Sequence, residues 1–213
     1  GMMVGVLALG LSSCQEFLNR PAEDNYNTAN FYQNDEQCIQ GVNYLYNSPW
    51  YDFQRGFFKI GESMSGNMYI GNSPYMLFTT NSTDQDLVNM SYSLWAVNGH
   101  ANTVIQNILA SEGPSKEIKN QCIGEALTLK ALAYFFMVRT FGEVPIIHDN
   151  TEVLTSGEYN NVYKVTRGNV YEYIIVTLEK AMELLPKKTS GWDGRIDYYA
   201  AEGLLAKVYL TKA

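Results

Sequence analysis

The chain has 213 residues, a formal net charge of -7, and 46% hydrophobic against 17% charged residues. That balance excludes an intrinsically disordered chain, and acidity without a basic run excludes a nucleic-acid binder, because phosphate recognition needs clustered Lys and Arg. Sixteen Tyr, nine Phe and three Trp supply amphipathic rings that suit either interfaces or shallow sites where a flat polar ligand stacks.

The first stretch, Met2 to Cys14, is apolar, rich in small residues, and ends in Leu11-Ser12-Ser13-Cys14. A bilayer-spanning helix needs about 20 apolar residues, so this run is too short to be one. It fits the apolar region and cleavage site of a secretory signal, and its end resembles a bacterial lipobox with Cys14 as the acylated residue. The alternative is the start of a buried element carrying an incidental cysteine. On the lipobox reading, residues 1–13 are a signal segment and 14–33, polar and broken by Pro21, are a tether to a domain covering 34–213.

Asn34 followed by Asp35, Glu36 and Gln37 predicts a capped first helix, with Cys38, Val42, Leu45 and Tyr46 on one face and an end near Ser48-Pro49. From Trp50 to Thr83 helical periodicity disappears, and Gly, Pro, Asn and Ser alternate with Tyr and Phe. An irregular segment this long inside a compact domain is commonly functional. Leu87, Met90, Leu94, Val97, Ala101, Val104 and Ile108 then recur at three and four residues, predicting a second helix. A third runs from about Ile118 to Phe141 and is apolar nearly all round, so other helices must surround it. Gly142 is placed to cap it and Pro145 prevents its continuation. Thr166 to Leu185 predicts a fourth helix, and Asp197 could cap a fifth carrying Ala200, Ala201, Leu204, Leu205 and Val208. The expected fold is all-α, built of helical hairpins of tetratricopeptide type with a long irregular loop between the first two helices.

Cys38 and Cys122 fall on apolar helix faces without C-x-x-C spacing, which predicts buried free thiols rather than a disulfide or metal site. Gly61 to Ser65 nearly matches a nucleophile elbow, but Ser65 stands where the motif needs Gly. H-E-x-x-H, G-x-x-x-x-G-K and G-x-G-x-x-G are all missing, so the sequence offers no catalytic centre and calls for no cofactor.

Gly124-Glu125-Ala126, Leu129-Lys130-Ala131, Tyr134-Phe135, Val138 and Phe141-Gly142-Glu143-Val144-Pro145-Ile146 together resemble the signature of the SusD/RagB family of Bacteroidetes outer-membrane nutrient-binding lipoproteins. Lys130 departs from that family's usual Arg, Asn98 stands where an apolar residue is commoner, and Thr177 replaces a customary acid. The tether, first helix, Ala101-Asn102-Thr103-Val104-Ile105 and the last two helices match in the family's order. Members are usually more than twice this length, so the resemblance implies an N-terminal portion.

It also implies a lipid-anchored, surface-exposed protein that packs on a SusC-like TonB-dependent barrel and captures an oligosaccharide or peptide, without chemistry of its own. Within the irregular segment Asn67, Tyr69, Asn72, Tyr75 and Phe78 are candidate ligand contacts, because sugars are held by stacked rings and by amides on their hydroxyls. The competing reading folds those rings inward over the core. Trp50, Phe57 and Phe58 are expected to pack, and Glu125 with Arg195 to form a structural ion pair. Two other functions stay open: a helical-repeat adaptor binding only proteins, and a glycoside hydrolase fragment, which would show turnover lost on a single carboxylate change.

Overall fold

The computed structural model describes residues 31–157, 161–191 and 193–213. The signal segment 1–13, Cys14 and the tether up to residue 30 lie outside the described residues. The chain divides into Gly1–Phe31 and Tyr32–Ala213, and everything below concerns the second unit. Tyr32 is buried in it, so the folded unit starts two residues before the expected boundary at Asn34.

Seven α-helices are present among the described residues: α1 (Asp35–Asn43), α2 (Phe53–Phe58), α3 (Gln85–Ala110), α4 (Lys116–Phe141), α5 (Asn150–Thr155), α6 (Arg167–Leu184) and α7 (Tyr198–Lys212). Each long helix starts where a side chain supplies the acceptor that the first turn lacks. Asn34, Asp84, Ser115, Thr166 and Asp197 accept from backbone N–H groups at the starts of α1, α3, α4, α6 and α7. Such a cap contributes about 1 kcal/mol. Gln37 reaches back to the N–H of Gln33 at 2.7 Å, completing a box displaced by one residue from the usual pattern. Helix α4 stops at Gly142, whose φ of 78° is the left-handed geometry that glycine adopts without Cβ strain.

The core is layered along the sequence. Helix α4 packs against α3 on one side and α6 on the other, with α1 also against it, and α7 packs on α6. This accounts for an α4 with almost no wet face: Cys122 to Ala126, Thr128 to Ala131, Ala133 to Phe135, Met137 and Val138 are buried. Close approach of α4 to the end of α6 depends on Gly124, where a Cβ would sit 2.7 Å from Leu185 Cγ. In α7, by contrast, only Ala201 and Val208 are buried.

Three expectations are corrected. The irregular loop between the first long helices is shorter than its composition suggested. Residues 44–46 and 48–50 form 3₁₀ turns, and α2 runs on into a π-type turn at Lys59–Ser63, leaving 64–84 as the non-helical part. Helix α2 is held by aromatic contacts that no local period announces. Phe53 lies 4.7 Å from Phe136 and 5.0 Å from Phe57 between ring centroids, and Trp50 meets Phe53 edge-on. Helix α5 was not expected either. It buries no residue, and Asp149 caps it by accepting from Thr151 and Glu152. The first helix ends at Asn43, before Ser48, where the backbone tightens into the 3₁₀ turn.

Candidate functional site

Segment 64–84 leaves α2 and returns to the start of α3. It is fastened at its middle by Tyr75, whose ring is 1% exposed and whose hydroxyl donates to Asp84 Oδ1. Asp84 is also the cap of α3, so one carboxylate holds both a loop side chain and a helix start. Its pKa is lowered: burial opposes ionisation, but the Tyr75 hydroxyl, the N–H groups of Leu87 and Asp86, and the charge of Lys59 outweigh it. Lys59 lies over the Tyr75 ring and pairs with Asp86. Burial first, and then the bond to Asp84, push the Tyr75 phenol well above its ordinary value, so it stays a donor.

The five candidate ligand residues therefore separate. Tyr75 is not an outward contact, because its ring is under the loop and its hydroxyl is committed to Asp84. Tyr69 and Phe78 stand out at 74% and 69% exposure, and Asn67 and Asn72 are exposed as well. Asn67 donates to Glu62 Oε2 at 3.3 Å, which leaves its amide oxygen facing water. Leu77, beside Phe78, is exposed too, and sequence reasoning missed it. Sequence reasoning also missed Lys59 and both tasks of Asp84, since nothing local shows that Tyr75, nine residues earlier, shares the carboxylate that caps α3.

Elsewhere the signature residues build scaffold. Arg195 grips Glu125 in a two-pronged pair, Nε to Oε1 at 2.9 Å and Nη2 to Oε2 at 2.6 Å. Arg195 sits in the loop before α7 rather than on a helix. Tyr46 donates to the same carboxylate and accepts from the N–H of Ile196. Lys130 is 4% exposed and donates to the amide oxygen of Asn102 at 2.6 Å, with the Tyr173 ring 5.6 Å from its nitrogen. Burial pushes its pKa down to about 8. Asn102 donates to the carbonyl of Ile147, and Tyr134 accepts from the N–H of Ile147, so the crossing after α4 is pinned from two helices.

Asn98, fully buried where an apolar side chain is commoner, also donates to Ile147 at 3.4 Å, while its amide oxygen is buried without a partner among the described residues. Thr177 bonds back to the carbonyl of Tyr173 within its own helix. Trp50 donates to the carbonyl of Leu45, as packing requires. His148 lies edge-on to Tyr173, its pKa lowered by burial and then by the Lys130 charge.

The thiols of Cys38 and Cys122 are buried and free. Burial pushes the Cys122 thiol up to about 12, which removes it as a nucleophile near neutrality. Ser63, of the near-elbow, is buried at the end of the π-type turn.

The family model described as starch-binding, associating with the outer membrane, matches residues 16–210. The chain belongs to the SusD-like family. A SusD-like protein of Bacteroides ovatus is 33% identical over all of this chain and 39% of its own length. SusD-like protein P2 of Formosa agariphila is 31% identical over 55% of this chain and 23% of its own. Among solved structures, a chain crystallised with xylogluco-oligosaccharide superposes with a TM-score of 0.70 at 28% identity, covering 81% of this chain and 34% of that one. This SusD-like chain thus spans well under half the length of the relatives it matches.

Proposed function

We propose that this SusD-like chain serves in a surface-exposed, lipid-anchored protein that captures oligosaccharide and delivers it to a SusC-like TonB-dependent transporter, without catalysing any reaction. The observation that carries the binding half is segment 64–84, which displays Tyr69, Phe78, Asn67 and Asn72 on a buried Tyr75 anchor. Exposed rings next to exposed amides suit a sugar, whose C–H faces stack on aromatics while its hydroxyls exchange hydrogen bonds with amides. The family description and the relative crystallised with a glycan support this ligand class. The transport half rests on the family resemblance, with Cys14 as the acylated residue.

Two experiments test the two halves. Maltoheptaose and a xylogluco-oligosaccharide, titrated calorimetrically into the protein, should bind without any release of reducing ends; new reducing ends would instead establish an enzyme. A mild-detergent pull-down of the acylated protein from native outer membranes should recover a stoichiometric TonB-dependent barrel. Acylated protein without a barrel would leave a free-standing binder or adaptor.

A further inference from the structure

Residues 73–79 form a single helical turn closed at both ends. The Ser73 hydroxyl accepts from the N–H of Met76 at its start. At its end the N–H of Thr79 reaches Pro74 O at 2.8 Å, the N–H of Phe78 reaches Tyr75 O at 3.4 Å, and the N–H of Leu77 reaches Ser73 O at 3.1 Å. The six-to-one bond with a nested five-to-two bond is a Schellman closure, whose penultimate residue must take the left-handed conformation. Glycine is the ordinary occupant. Here it is Phe78, at φ 55°.

A bulky residue in that region is strained, because its Cβ crowds the following carbonyl. Strain of this kind persists where the surrounding structure over-determines it, and it clusters at ligand clamps. The intramolecular return for the Phe78 ring is small: it is 69% exposed and engages no other ring among the described residues. The turn is nonetheless held firmly, since Tyr75 is buried beneath it and tied to Asp84 at the start of α3.

We infer that Phe78 is the principal stacking platform for a pyranose ring, held outward in a left-handed backbone conformation, and that Tyr75 with Asp84 is the strut that positions it. This rests on the carbohydrate-binding reading above and deepens it by ranking the exposed residues. It makes Phe78 the residue on which affinity turns, with Tyr69 and the two asparagines secondary. It also makes Tyr75 a positioning residue that never touches the sugar.

The test compares the wild-type chain with Phe78→Gly and Tyr75→Phe, using maltoheptaose and the xylogluco-oligosaccharide as probes. Phe78→Gly relieves the backbone strain, so its melting temperature should equal or exceed that of the wild type while affinity falls at least tenfold. Tyr75→Phe keeps the buried ring but frees the turn from Asp84. It should speed amide exchange across 73–79 and weaken binding severalfold through a slower association rate, with dissociation little changed.

A Phe78→Gly protein that binds within twofold of wild type overturns the platform. A Phe78→Gly protein that melts lower shows that the ring packs on its own chain, and overturns it equally. Unchanged association and exchange in Tyr75→Phe removes the strut. Silence of the wild type toward both probes sinks the parent reading, whereas binding retained in Phe78→Gly sinks only this inference.

Discussion

Removing the Arg195 side chain should be among the most damaging single changes outside the apolar core. Glu125 is fully buried, and Arg195 satisfies both of its oxygens while remaining 16% exposed itself. Breaking a buried pair by deleting one partner costs about 3–5 kcal/mol, because the remaining charge has lost its compensation. Here the carboxylate keeps two neutral donors, the Tyr46 hydroxyl and the Gln121 amide, each at 2.9 Å. That places Arg195→Ala at the lower end, about 3 kcal/mol. For a folded unit of this size a loss of 1 kcal/mol lowers Tm by about 2–4 °C, so Tm should drop by roughly 6–12 °C.

Glu125→Gln should cost less than Arg195→Ala. The guanidinium it strands still reaches solvent, and it holds Asn43 Oδ1 at 2.7 Å. Thermal and urea unfolding followed by circular dichroism read both variants. An Arg195→Ala protein within 2 °C of wild type, or one more stable than Glu125→Gln, would refute the reasoning.

Three further outcomes follow from the same geometry. Lys130 has an ordinary pKa of 10.5 and a folded one of about 8, so between those values the unfolded chain holds the extra proton and stability rises with pH. The stability of wild type minus that of Lys130→Met should therefore climb by about 3 kcal/mol from pH 7.5 to pH 10.5, and a flat difference across that window would exclude it. Gly124→Val should destabilise by about 1–3 kcal/mol through collision with Leu185, and adding Leu185→Ala should recover part of the loss in a double-mutant cycle. In a Cys14→Ser chain, Cys38 and Cys122 should stay unreactive toward an aromatic disulfide reagent until denaturant is added; prompt reaction in buffer would contradict their burial.

The long helices were legible chiefly from a three-and-four apolar period, joined at α1 and α7 by a capping side chain at the right offset. Even the odd one, α4, declared by its lack of a polar face that it lies between other helices. What escaped was whatever non-local contacts decide. Helix α2 owes its place to Phe136, and α5 is too short and too exposed to leave a period. In the candidate site, composition pointed to the stretch from Trp50 to Thr83, of which only 64–84 is non-helical, and not to which rings face out. Tyr69, Tyr75 and Phe78 are alike in sequence, and only the tertiary bond from Tyr75 to Asp84 sorts the hidden ring from the displayed ones. Lys130 follows the same pattern: its charge invites a carboxylate partner, and the fold supplies the amide of Asn102 instead.

The cluster around Glu125 joins positions 43, 46, 125 and 195, and the gripping residue lies 70 residues beyond the one it grips. A chain is made from its N-terminus, so α1, α3 and α4 are available to associate before Arg195 arrives. At roughly 5–20 residues per second that interval lasts several seconds. Throughout it, the Glu125 carboxylate has only the Tyr46 hydroxyl and the Gln121 amide as partners, so a partly built core lacks the roughly 3 kcal/mol that Arg195 supplies. Docking of the segment before α7 is thus the step that seals the bundle. A piece of this chain that includes Arg195 should therefore be more stable than one that stops just short of it.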